Sequence, residues 1–177
     1  MHSSMPLSRA THTRTENRAV EKGLRRTMPI TTSQNELLVR WLIEQLFNRK
    51  RTGVADFLYA RDCHGYTPDG WFTNRKEFLA GFANYAAAFP AFRVQIDYLA
   101  ADLDWVLLHY TFTGVQTGTW AGLNSKGQAI RITGMMNTRI VEGRIVQQDF
   151  VWDAAAVRRQ LQAEPAAALD PGFLRVA

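Results

Sequence analysis

The sequence predicts an α+β domain: a cone-like, curved antiparallel sheet wrapped around N-terminal helices, with a C-terminal helix. Two observations carry this. Apolar residues recur at helical spacing up to Phe89, and from Phe92 to Trp152 the period changes to two. The length, 177 residues with 46% hydrophobic and 21% charged, suits one domain with a single sizeable core.

The elements follow in order. "TTSQNELLVRWLIEQLFNRK" reads as a first helix, with Ser33 and Glu36 spaced as a capping box and Leu38, Trp41, Leu42 and Leu46 as one apolar stripe. "VADFLYA" reads as a short second helix, and "RDCHGYTPDGW" as a loop punctuated by Gly and Pro. Thr73 is placed to cap a third helix, whose Phe78, Phe82, Tyr85 and Phe89 share one face before Pro90. The strands then set Phe92, Val94, Ile96 and Tyr98; Val106, Leu108, Tyr110 and Phe112; and Ile130, Ile132, Met136 and Ile140 on the apolar side. "QTGTWAGLNSKGQ" holds two turns and room for a short strand. A Glu142-Gly143 turn returns the chain through "RIVQQDFVW", and Asp153 caps the last helix.

Charge and composition bound the function. Residues 1–28 hold six basic residues against two acidic ones, leaving 15 against 14 in residues 29–177. The folded part is nearly neutral, which argues against a nucleic-acid face. The segment 1–30 is expected to be a disordered basic tail, or to lie upstream of a start at Met28. Its Ser, Thr and Arg content is also that of a transit peptide, a reading weakened by Glu16 and Glu21. Residues 31–165 form the domain, and 166–177 a flexible extension. No apolar run approaches the roughly 20 residues that span a bilayer, so no membrane partner is expected. The single cysteine, Cys63, forms no internal disulfide and fits a reducing, cytoplasmic setting. The residues of "RDCHG" lack metal-ligand spacing, and there is no phosphate-cradling glycine loop or GxSxG, so neither metal nor cofactor is expected.

The stretch 88–153 resembles the SnoaL-like polyketide cyclases of the nuclear transport factor 2-like superfamily. The resemblance rests on "AFP" before the first long strand, "TGTWAGLNSKGQ", the "ITG" strand and the "EGRIV" hairpin ending in "WD". With the preceding helices it covers about residues 33–163. It implies a cone-shaped barrel with a pocket open at one end, a small apolar ligand, and a homodimer formed through the sheet. It also implies cofactor-free acid/base closure of a polyketide-like chain, or isomerisation of a cyclic ketone. The family's key groups are a carboxylate on the last strand and, in some members, a histidine on the strand before it. Matched position by position, the acid falls at Phe150, the preceding polar residue at Gln148 and the histidine near Met136 or Thr138. The catalytic pair is therefore missing.

A ligand-binding or accessory pocket without chemistry is the competing reading. Even-numbered strand residues are expected to face inward, so Gln148, Phe150 and Trp152 point into the cone and Asp149 points out. The register decides this. A three-residue loop at Val141–Gly143 sets Met136 opposite Gln148, whereas a two-residue turn, or a bulge within the strand, sets it opposite Asp149. An inward Asp149 would be a general base with a raised pKa. Asp62 and His64 are the other candidate acid/base groups, if their loop folds in. Tyr66, Trp71, Tyr85, Tyr110, Trp120, Met136, Gln148, Phe150 and Trp152 are the candidate ligand contacts. His109, on the odd-numbered face, is expected on the outer sheet surface or a dimer interface.

Overall fold

The computed structural model describes residues 32–163; the expected tail, the extension and the side chain of Ser33 in the proposed capping box lie outside the described residues. Helix α1 (Thr32–Leu42) runs into a π-helical turn (Ile43–Asn48). A 3-10 turn (Thr52–Val54) and the short α2 (Ala55–Leu58) lead to β1 (Tyr59–Thr67) and β2 (Gly70–Phe72). Then come α3 (Arg75–Ala88), β3 (Arg93–Asp102), β4 (Trp105–Val115), β5 (Ala129–Val141), β6 (Arg144–Trp152) and α4 (Ala154–Gln162). The six strands lie in the order β2-β1-β6-β5-β4-β3.

The helical periodicity is realised with one rotation. Val39 and Leu42 of α1 and Ile43 and Leu46 of the π-helical turn are buried, but Trp41 is 45% exposed. The buried Asn35 amide donates to the Leu103 carbonyl at 2.9 Å and docks the helix on the β3–β4 turn. Trp41 lies about 120° round the helix from Asn35 and so faces out. In α3, Phe78 and Phe82 are buried as the spacing requires, with Phe89 beyond its end. The cap, however, is Asn74, whose side chain accepts the Glu77 N–H, rather than Thr73. Thr73 instead donates its N–H and hydroxyl to the Glu77 carboxylate. Asp153 caps α4 by accepting the Ala156 N–H at 2.8 Å.

Two features depart from the expected all-antiparallel sheet. First, the expected loop after α2 is the β1–β2 hairpin, and β1 pairs parallel to β6, so the sheet is mixed. The strand escapes periodicity because its inward positions are Tyr59, Cys63 and Gly65, and a glycine carries no apolar signal. Second, β3 and β6 are bulged. The shift between Ile96 and Tyr98 turns Tyr98 out to 64% exposure and brings Leu99 and Ala101 opposite the buried Leu108 and Val106. In β6 the shift lies at Val146, so Ile145 is fully buried rather than outward. The connection 116–128 makes a single bridge, Trp120 with Leu123, in place of a short strand.

The β5–β6 hairpin closes on Glu142 and Gly143, both with positive φ (51° and 75°). Glutamate is strained there, whereas asparagine visits this region readily. Glu142→Asn is expected to raise stability by about 0.5–1 kcal/mol, read as a higher urea midpoint at unchanged slope.

Candidate functional site

The concave side of the sheet, the π-helical turn after α1 and helix α3 enclose a cavity of about 620 Å³. Its wall is a closed circuit of nine aromatic rings. Each of Trp152, Tyr85, Trp120, Phe89, Phe112, Phe92, Phe82, Phe47 and Phe150 touches the next at centroid distances of 4.9–6.4 Å, and Phe150 returns to Trp152. Most contacts are edge-on or tilted, the geometry favoured by ring quadrupoles. All nine line the cavity, with Tyr110, Ile130, Ile132 and Met136.

Local structure places these rings. Phe82 and Tyr85 come from one face of α3, and Phe112, Phe150 and Trp152 from even positions of β4 and β6. Trp120 arrives because the N–H groups of Thr117 and Gly118 donate to the Ala88 carbonyl, folding the connection over the end of α3. A side chain at Gly118 would meet the Ala87 carbonyl at 2.6 Å. Phe47 and Phe92 are tied from behind by Lys50. Its ammonium donates to their carbonyls at 2.5 and 2.8 Å and stands 3.3 Å from the Phe92 ring centroid. Burial, with help from Arg93, pulls the Lys50 ammonium down to about 8.

The polar groups are sparse and unevenly placed. Tyr110 is 6% exposed and its hydroxyl makes no hydrogen bond among the described residues. Burial raises its pKa. The ring lies over Gly134, where a Cβ would come 2.6 Å from the hydroxyl. The buried Tyr85 hydroxyl is likewise without a partner. Asp69 and Glu77 line the exposed end. Burial by the adjacent wall raises the Asp69 carboxyl, opposed by Arg158 of α4. Glu77 is held low, mainly by the Thr73 N–H.

The acid/base candidates lie elsewhere. The Val146 bulge, added to a plain two-residue turn, pairs Met136 with Phe150 and Asn137 with Asp149, a register outside both anticipated alternatives. Asp149 is on the outer face, where its carboxylate accepts the Tyr66 N–H at 3.1 Å and the Gln147 amide at 2.7 Å. It ties β1 to β6. Asp62 and His64 are exposed, on the side of β1 opposite Cys63 and Gly65.

Among the ligand-contact candidates, Trp71, Tyr85, Tyr110, Trp120, Met136, Phe150 and Trp152 line the cavity, whereas Tyr66 and Gln148 do not. Tyr66 leans on Trp71 outside it, at 5.2 Å between rings. Gln148 points inward but is sealed, accepting from the Tyr59 hydroxyl at 2.5 Å and donating to Thr138 at 3.1 Å. Phe47, Phe82, Phe89, Phe92, Phe112 and Asp69 were not anticipated as lining residues. Their only sequence signal was membership of the apolar faces or, for Asp69, of a turn. Among the described residues no three His, Cys, Asp or Glu side chains gather as a metal site, and no helix is long and apolar enough to cross a membrane.

A curved, unclosed sheet around N-terminal helices, with a C-terminal helix, is the nuclear transport factor 2-like fold. Within it, the chain belongs to the SnoaL-like polyketide cyclase family, whose profile matches residues 36–161. Similar solved structures include a SnoaL-like protein from Jannaschia sp. CCS1, with TM-score 0.72 and 18% identity over 79% of this chain and 98% of that one. AclR from Streptomyces galilaeus, described as a candidate hydroxylase, gives TM-score 0.68 and 19% identity over 78% and 87%. A SnoaL-like polyketide cyclase from Agrobacterium tumefaciens gives 0.59 and 15% over 74% and 98%. Among curated protein sequences none matches this chain.

Proposed function

We propose that the chain binds a flat, multi-ring, largely apolar small molecule of the polyketide-like class. Its rings lie against the aromatic circuit and one oxygen accepts a hydrogen bond from Tyr110. The observation that carries this reading is the unpartnered, nine-tenths-buried Tyr110 phenol inside a cavity walled by nine rings. Such a lining matches the composition of ligand sites, mostly apolar with a few placed polar groups. Cofactor-free cyclisation or isomerisation needs a proton acceptor against the substrate. The family's acid position is Phe150, and the cavity's carboxylates, Asp69 and Glu77, stand at its exposed end, which favours binding without turnover. Calorimetric titration with anthrone, a three-ring ketone, tests the reading. Tyr110→Phe is expected to weaken binding about threefold to tenfold, one neutral hydrogen bond, with the fold unchanged. Equal affinity in the variant removes Tyr110 from recognition.

The outer sheet face supports the expected homodimer. Tyr98, His109, Met135 and Val151 form one cross-strand row, and Tyr98, Met135 and Val151 are 64%, 43% and 59% exposed. We propose a second copy of the chain as its cover. Sedimentation is expected to show a dimer that Val151→Asp converts to monomer; a monomeric wild type overturns this.

A further inference from the structure

The cavity is charged on one side of the balance only. Asp69 and Glu77 line it, and no Lys, Arg or His side chain does so among the described residues. The carboxylates come from different elements: Asp69 from the β1–β2 turn and Glu77 from the first turn of α3. Trp71, between them in sequence and 77% exposed, lines the same opening. The Asp69 side chain makes no hydrogen bond or ion pair among the described residues. The Glu77 carboxylate accepts from the Thr73 N–H and hydroxyl at Oε2 and is also drawn on by the Asn74 side chain, yet it stays exposed and negatively charged. Arg158, the cation nearest in effect to Asp69, stands on α4 outside the lining. The wall adds to the asymmetry, because aromatic faces are the negative side of the ring quadrupole and attract cations. The lining also holds the partnerless, buried Tyr110 phenol, a donor that orients a ligand oxygen.

We infer that the cavity selects cationic ligands: a flat ring system against the aromatic wall, its oxygen on Tyr110, and a protonated amine at the mouth between Asp69, Glu77 and the face of Trp71. This rests on the reading of the cavity as a ring-binding site and adds the charge of the ligand to it. A carboxylate of the same shape would bring a third negative charge to an opening whose lining holds no cation and whose one neighbouring cation, Arg158, stands outside it.

Equilibrium dialysis with three isosteric probes tests the inference: anthracenylmethylammonium, anthracenylmethanol and anthracene carboxylate. The ammonium probe is expected to bind about tenfold more tightly than the carboxylate, with the alcohol between, and the ratio is expected to shrink as salt rises. Asp69→Asn should reduce that ratio to about threefold or less, and Arg158→Ala should widen it, because the same carboxylate then lacks its one neighbouring cation. Equal binding of all three probes overturns the charge selection and leaves ring binding intact. A ratio unmoved by Asp69→Asn also overturns it. Failure of all three probes to bind overturns both readings.

Discussion

Gly65→Ala is expected to destabilise the protein by roughly 3 kcal/mol or more, enough to leave much of it unfolded. A Cβ at this position would stand 1.8 Å from the Gln148 carbonyl oxygen and 2.6 Å from the Phe72 ring. The ring could swing away; the carbonyl belongs to the backbone of β6 and cannot. Relief therefore requires β1 and β6 to part. Parting them pulls Tyr59 from Gln148 and Asp149 from the Tyr66 N–H, the two ties beside their irregular pairing. Gly53→Ala is the control. It has open space around it and no positive φ, so alanine there should gain about 0.4–1 kcal/mol by restricting the unfolded chain. Urea denaturation of the pair decides the matter, and a Gly65→Ala midpoint equal to wild type would sink the account.

Gln148→Leu is expected to cost about 2–5 kcal/mol, because it leaves two buried hydroxyls without their partner. Tyr59, Thr138 and Gln148 are all fully buried. The Tyr59 hydroxyl, whose pKa burial drives well up, loses its acceptor, and Thr138 loses its donor. The Met136 sulfur, 3.2 Å from the Gln148 amide, loses a weaker contact. The cost lies in the unpaired groups rather than in the network. Combining Tyr59→Phe, Thr138→Val and Gln148→Leu should therefore recover most of it. A triple variant less stable than the single one would show instead that the network itself stabilises the cone. Either variant leaves the cavity lining unaltered in composition, so anthrone binding separates folding from recognition.

The sequence is most legible where burial enforces a period. Phe78 and Phe82 on α3, and Val106, Leu108 and Tyr110 on β4, could be read directly, since one face of each element meets the core. Legibility fails where the backbone departs from a period. The bulges at Asp97 and Val146 carry no composition signal, yet they reverse Tyr98 and Ile145. The Val146 bulge also decides the role of Asp149: without it, the two-residue turn would oppose Asp149 to Met136. Strand β1 hid because its inward Gly65 makes space for a carbonyl. The site was legible in part for the same reason. Alternation marks Phe112 and Phe150 as inward, but it cannot tell a ring on a cavity wall from a ring in a solid core. Asp69, inside "TPDG", reads as a turn residue because aspartate is favoured in turns whatever it faces.

The aromatic circuit gives the molecule an intrinsic optical signal. Of its five tryptophans, Trp120 and Trp152 belong to the circuit and Trp71 stands at the opening, whereas Trp41 and Trp105 lie off the lining. A molecule entering the cavity changes the surroundings of three emitters together and leaves two as a constant background. Trp120 and Trp152 both touch Tyr85, so the two emitters of the circuit share one neighbour. Trp71 reports arrival at the mouth and the Trp120–Trp152 pair reports occupancy of the interior, so single-tryptophan variants would resolve entry and seating as separate spectral events without any attached label.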